Sequence, residues 1–327
     1  MAHRHEQNAG SGRKVLLAVP GAVILLSAWP IMDWWIVLPE GRTASYVGRQ
    51  TCASCHQKQT NEWTGSDHDL AMDPATPEFV LGDFEGTQLE HHGVTSKMAR
   101  RGDEFFVTTE GPDGTPAEFQ VKYVFGYRPL QQYLAELDRG HIQVLPVTWD
   151  TEKKEWFFAN PDAPFGPDDP LHWTGSAQNW NHMCADCHTT NFAKNFDVPT
   201  DTYHSTWSEI DVSCEACHGP GSIHVELANS KSLFWDRHYG YGLAELKSEF
   251  ATTQLETCAP CHAHRERIHS GFEAGDRFYD HYGLSLLEDR LYHADGQIDE
   301  EVYVYGSFTQ SLMYRKGVRC TDCHDPH

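Results

Sequence analysis

No cysteine of this chain is to spare: all ten stand in Cys-x-x-Cys pairs, and each of the five pairs is followed at once by histidine. A disulfide framework would have no use for a histidine after every pair. Structural zinc would use linked Cys pairs or a distant His, and a redox dithiol would occur once, not five times. Positive charge is scarce as well. Only 25 Lys and Arg stand against 47 Asp and Glu, for a formal charge of -22. That balance argues against nucleic acid as a partner and suits a basic protein or a small diffusible molecule. Apolar residues make up only 39% of the 327, so a core of adequate size needs apolar volume from elsewhere. There is also no internal repeat beyond a short echo, Trp-Thr-Gly-Ser at 63–66 and again at 173–176.

What is present explains these shortages. The pairs are Cys52 with Cys55, Cys184 with Cys187, Cys214 with Cys217, Cys258 with Cys261 and Cys320 with Cys323, followed by His56, His188, His218, His262 and His324. This is the attachment pattern of c-type haem. Two thiols form thioethers with the two vinyl groups of one porphyrin, and the adjacent histidine becomes the proximal iron ligand. Five covalent haems are therefore expected, each with its iron. They supply the missing apolar volume and, when oxidised with ionised propionates, take the charge to about -27.

The one long apolar run, 15–38, follows Arg13 and Lys14 and contains a single acidic residue, Asp33. Its length suits a tilted transmembrane helix, Trp29, Trp34 and Trp35 sit where an interfacial belt belongs, and no small-x-small cleavage site follows clearly. We therefore expect a cytoplasmic tail at 1–14, an inner-membrane anchor at 15–38, and a haem-bearing remainder in the periplasm or another extracytoplasmic space. In that remainder, 46–81 forms the first haem segment, 82–159 a β-rich insert and 160–327 a four-haem segment. The insert is expected because Phe105, Val107 and Thr109 alternate with their neighbours, Pro112-Asp113-Gly114 supplies a turn, and Phe119, Val121, Tyr123 and Phe125 resume the period of two. Residues 129–137 read as a short helix, 206–217 as a haem-motif helix and 244–261 as a longer one.

A haem that only carries electrons needs a sixth ligand, His or Met, to keep substrates off the iron. With 21 histidines in the chain, bis-His ligation is the default. His68 lies soon after the first motif, His224 follows His218 across Gly-Pro-Gly-Ser-Ile, and His327 follows His324 across Asp325-Pro326. His182, His269, His172 and His264 are further candidates. Arg128, Arg265, Arg267 and Arg315 are candidates for binding propionates.

At these residues the chain resembles the family of the tetrahaem cytochrome c of ammonia-oxidising bacteria and of multihaem proteins fused to tetratricopeptide repeats. Beside the haem motifs, the likeness rests on Trp63 with Ser66 and His68, on Tyr-Arg-Pro-Leu-Gln-Gln-Tyr at 127–133, on Cys-Glu-Ala-Cys-His-Gly-Pro-Gly-Ser-Ile-His at 214–224, and on 306–327. It implies stacked haem pairs with mostly bis-His irons, the distal His often coming from another motif's segment, and it supports His68, His224 and His327. The expected fold is thus mainly short helices and loops wrapped around stacked haems, with a small β-rich insert and one N-terminal transmembrane helix. No Cys-x-x-Cys-Lys occurs, so the lysine-ligated catalytic haem of some relatives is absent, and no tetratricopeptide repeats follow. The expected function is electron transfer between a membrane-associated donor and an extracytoplasmic acceptor through redox partner proteins, with room for a homo-oligomer. The alternative is an oxidoreductase acting on a small nitrogen or sulfur compound at one open haem.

Overall fold

Alternation in the sequence becomes a sheet of eight antiparallel strands. In this computed structural model the described residues are 27–33, 41–160, 164–230, 232–234, 240–299 and 302–327. The strands are β1 Met72–Pro74, β2 Glu85–His91, β3 Val94–Arg101, β4 Glu104–Glu110, β5 Pro116–Phe125, β6 Leu130–Glu136, β7 Ile142–Asp150 and β8 Glu155–Phe158. From β2 to β8 each strand pairs with the next, and β1 pairs with β5. Along β4, Phe105, Val107 and Thr109 are buried while their neighbours are not, the period of a sheet with one face in a core. The turn into β5 is made locally. Asp113 Oδ1 accepts from the backbone N–H of Thr115 (3.0 Å) and from its hydroxyl (2.7 Å), and Gly114 takes φ +77°, which a side chain would oppose.

The sheet curls until its first and last hairpins meet, because the His91 ring of β2 stacks on Phe158 of β8 at 4.6 Å. The result is a nearly closed barrel. Its interior is aromatic: Phe84 meets Phe105 at 5.1 Å and Trp156 at 5.3 Å, edge to face. Gly82 lies so close to Tyr133 and Trp156 that a Cβ there would collide with both. A second apolar cluster, with Met72, Leu134, Ile142, Val144, Trp180 and Ala185, joins β1, β6 and β7 to the helices that carry the second haem motif. A third gathers Leu255, Ala259, Phe278, Tyr282 and Tyr305 around the helix Thr252–His262.

This architecture corrects the expected fold. The described residues are not mainly helical: the helix Thr252–His262, at 11 residues, is long beside the haem-motif helices of four or five, whereas the sheet is the dominant element. Short motif helices cannot build a layer of their own, while seven consecutive hairpin-linked strands can. Residues expected as a helix at 129–137 form β6, since Gln131, Tyr133 and Ala135 all face inward and the strand pairs with both β5 and β7. At 206–217, Glu209–Ile210 pairs with Thr189–Thr190 and only Cys214–His218 is helical. The expected transmembrane helix is not supported either. No helix among the described residues is long and apolar enough to cross a membrane. The part of 15–38 that is described, 27–33, is a short helix; the rest of that run and the tail 1–14 lie outside the described residues.

The chain divides into two units. One, comprising 46–219 and 244–327, contains the sheet and all five motifs. The other comprises 1–45 and 220–243. There Arg42 pairs with Glu226 at 2.6 Å, and the Ser45 N–H donates to the hydroxyl of Ser222 at 2.8 Å, at the start of the helix Ser222–Asn229.

Candidate haem-binding site

Each motif sits on a tight helical turn. Cys52 lies in the helix Arg49–Ala53, Cys187 and His188 in Ala185–His188, the whole third motif in Cys214–His218, and the fourth at the end of Thr252–His262. Cys320 opens a single 3-10 turn. Residues three and four apart share one face of a helix, so this local geometry turns both thiols and the histidine of a motif toward one side. None of the ten cysteines is in a disulfide.

Tertiary structure brings the motifs to one another. The thiol of Cys52 lies beside Cys214, that of Cys187 beside Cys261, and that of Cys258 beside Cys320, each near enough to perturb the other. The first motif thus meets the third, the second meets the fourth, and the fourth meets the fifth. Cys217 of the third motif also acts electrostatically on Cys258 and Cys261, so the fourth motif has neighbours in three directions. The thiols respond accordingly. Cys184 is pushed up to about 12 and Cys217 to about 11 by burial. Cys187 is held down to about 7, first by the neighbouring Cys261 thiol and also by the Arg265 cation.

Two histidine pairs have the spacing an iron demands. A metal–imidazole bond is about 2 Å, with the ring centre about 1 Å behind the nitrogen, so two imidazoles on one iron hold their centres roughly 6 Å apart. The rings of His68 and His262 are 6.3 Å apart at 81°, and those of His218 and His327 are 6.2 Å apart at 14°. Each pair joins a motif histidine to one outside the motifs. The residues therefore fit haem c, with thiols for attachment and imidazoles for the iron, which the bound group would supply as a reversible one-electron carrier.

Carbonyls orient the rings. Nδ1 of His188 bonds Ala71 O at 2.9 Å, that of His262 bonds Val302 O at 3.0 Å, and that of His68 bonds Pro326 O at 3.2 Å. A carbonyl can only accept, so Nδ1 carries the proton and Nε2 keeps its lone pair for a metal. Burial also lowers His188 and His262 from the ordinary histidine value, which favours the neutral, ligating form. The tail thus has two tasks: Pro326 orients His68, and His327 faces His218.

Other expected residues fall elsewhere. His224 bonds Tyr241 O through Nδ1 at 2.8 Å, within the smaller unit. His182 is exposed, with Nδ1 3.4 Å from Lys194 Nζ. His269 is exposed in the bend after Arg265–Arg267, and His172 lies under the barrel loop beside Glu110. His56 and His324 are exposed. Arg265 and Arg267 both bind Asp186, inside the second motif, and Arg128 pairs with exposed Asp67 at 2.8 Å.

Two anchors escaped sequence reading. Arg49 reaches Glu209 at 2.9 Å and Asp211 at 2.8 Å. Glu215, between the cysteines of the third motif and only 2% exposed, accepts backbone N–H bonds from Val47 and Gly48 at 2.8–3.1 Å. Both hold the first motif beside the third, and an acidic residue between two haem cysteines was the available signal for the second. We expect Glu215→Ala to destabilise the haem-loaded protein by about 2–3 kcal/mol, since buried N–H donors lose a charged acceptor. Urea unfolding checks this, and a change below about 0.5 kcal/mol would dismiss the anchor.

Residues 51–91 and 171–219 match the family described as cytochrome c554 and c-prime, a span that includes the first three motifs. No curated protein matches the chain. Among solved structures, the outer cell wall cytochrome OcwA is similar in fold, with a TM-score of 0.57 at 17% identity over 86% of this chain. The match covers 62% of that protein, so the chain spans less than two thirds of it. By its attachment motifs and the family match across three of them the chain is similar to multihaem c-type cytochromes, and its likeness to OcwA is one of fold.

Proposed function

We propose that the chain is an extracytoplasmic electron relay carrying five covalent haems. The observation that carries this reading is the meeting of motifs: first with third, second with fourth, fourth with fifth. Haems attached at neighbouring thiols stand close enough to exchange electrons, and a contiguous series of them connects one redox partner to another. The His68–His262 and His218–His327 spacings favour six-coordinate irons, which suit a carrier because they exclude substrates. The proposed ligands are His56, His188, His218, His262 and His324 on the proximal side, with His68 and His327 opposite His262 and His218 and other histidines outside the motifs completing the remaining three irons. Compartment follows from the attachment chemistry and agrees with the description of the structurally similar protein as an outer cell wall cytochrome. The acidic composition favours a basic protein or a small molecule as partner.

Denaturing mass spectrometry of mature protein should retain five haem masses, and dithionite-reduced protein should bind essentially no carbon monoxide. Fewer than five masses on fully matured material would overturn the count. Stoichiometric carbon monoxide binding with substrate-dependent reoxidation would replace the relay with an enzyme.

A further inference from the structure

Two of the junctions between motifs carry opposite charge. Where the first motif meets the third, one guanidinium serves three carboxylates. Arg49 lies 2.9 Å from Glu209, 2.8 Å from Asp211 and 3.5 Å from Asp69. Burial pushes Asp211 up to about 8, but the acidic excess stands without it. Glu209 and Asp69 still outnumber the cation, and Glu215, buried in the third motif itself, adds a further carboxylate.

Where the second motif meets the fourth, the balance is reversed. Asp186, between the cysteines of the second motif, binds Arg265, at 2.6 Å, and Arg267 as well. Arg265–Arg267 is a strand paired with Tyr282–Leu284. Residues two apart in a strand share a face, so both guanidinium groups reach the one carboxylate, while Glu266 between them is exposed. Arg265 also donates to Pro260 O, between the cysteines of the fourth motif, at 2.8 Å. It lies 3.6 Å from Cys187 Sγ and packs over the Tyr282 ring at 4.5 Å. One guanidinium thus spans the inner residues of both motifs, and with Arg267 it leaves a positive charge over in a largely buried place.

A haem iron is one unit more positive when ferric than when ferrous. A neighbouring anion therefore favours the ferric form and lowers the potential, a cation raises it, and burial strengthens both effects. We propose that these fixed charges give the relay a direction: the haems of the first and third motifs have the lower potentials, those of the second and fourth the higher, and electrons pass from the first pair to the second. The direction rests on the relay reading above. Each transfer oxidises a ferrous haem of one pair and reduces a ferric haem of the other, one electron at a time and with no proton required.

The third and fourth haems report the order. Their imidazole pairs, His218 with His327 at 14° and His68 with His262 at 81°, give distinguishable ferric signals in electron paramagnetic resonance, both lost on reduction. The test is a potentiometric titration followed by that resonance, on protein shown by denaturing mass spectrometry to hold five haems. We expect the near-perpendicular pair to be reduced first, with an equilibrium constant at least tenfold more favourable, about 59 mV for one electron. Arg267→Gln should lower that midpoint by a similar step without moving the other, and Arg267→Lys, which keeps the charge, should restore it. Equal or reversed midpoints in the five-haem wild type would overturn the direction and leave the relay standing. So would an unmoved midpoint in Arg267→Gln, or a Lys variant as low as the Gln variant. Fewer than five haems in the wild type would remove the relay count and the direction with it. Should either variant lose haem, the wild-type order decides alone.

Discussion

If the chain is the proposed five-haem relay, replacing His68 by alanine should turn one low-spin haem into a high-spin one that binds carbon monoxide, with every haem still attached. The thioethers survive because His68 lies outside every motif, and His262 remains as proximal ligand. What is lost is the imidazole whose ring stands 6.3 Å from that of His262. The two spaced pairs also make the assignment specific. Near-perpendicular rings, as in His68 and His262, give a low-spin ferric signal of large anisotropy, whereas near-parallel rings, as in His218 and His327 at 14°, give a rhombic one. Electron paramagnetic resonance should therefore show the anisotropic signal disappearing in His68→Ala and the rhombic one in His327→Ala. An unchanged spectrum in fully loaded His68→Ala would remove that residue from the ligand set. Loss of the rhombic signal instead would reverse the two pairings.

Trp180→Ala should be the most damaging single truncation, at about 3–5 kcal/mol. Trp180 is fully buried, packed edge to face with Trp207 at 5.5 Å and Phe192 at 6.0 Å. It belongs to the cluster that joins the barrel to the second motif. The surroundings come from several chain segments, so they cannot close over the space of an indole, and a cavity remains. Chemical unfolding of the haem-loaded variant, followed by circular dichroism, should show a lower midpoint at an unchanged slope. A loss under about 1 kcal/mol would mean that the attached haems, and not this cluster, hold the second motif in place.

The haem-attachment pattern is a local one. Attachment needs two thiols and a histidine within a helical turn, a local requirement that spacing alone expresses. The ladder from Phe105 to Phe125 was equally readable, since a strand with one buried face must alternate. Residues 129–137 misled because a bulge interrupts their alternation between Gln132 and Leu134, and only the strands on either side decide that Leu130–Glu136 is extended. The weight of the sheet against the helices misled for the same reason. Short motif helices are each visible in sequence, but the pairing that makes seven hairpin strands one barrel is not.

By itself, then, the sequence determined the spacing of the Cys-x-x-Cys-His motifs and where the strands alternate, because both depend on neighbours within a few positions. Tertiary structure alone decided which motif meets which, that Pro326 orients His68 while His327 faces His218, and that Glu215 binds Val47 and Gly48. It also decided that His91 Nε2 ends buried without a partner. These relations join positions far apart in the chain. Their free energy comes from burial and hydrogen bonds formed only once the chain has folded back on itself, and so they leave no local pattern to read.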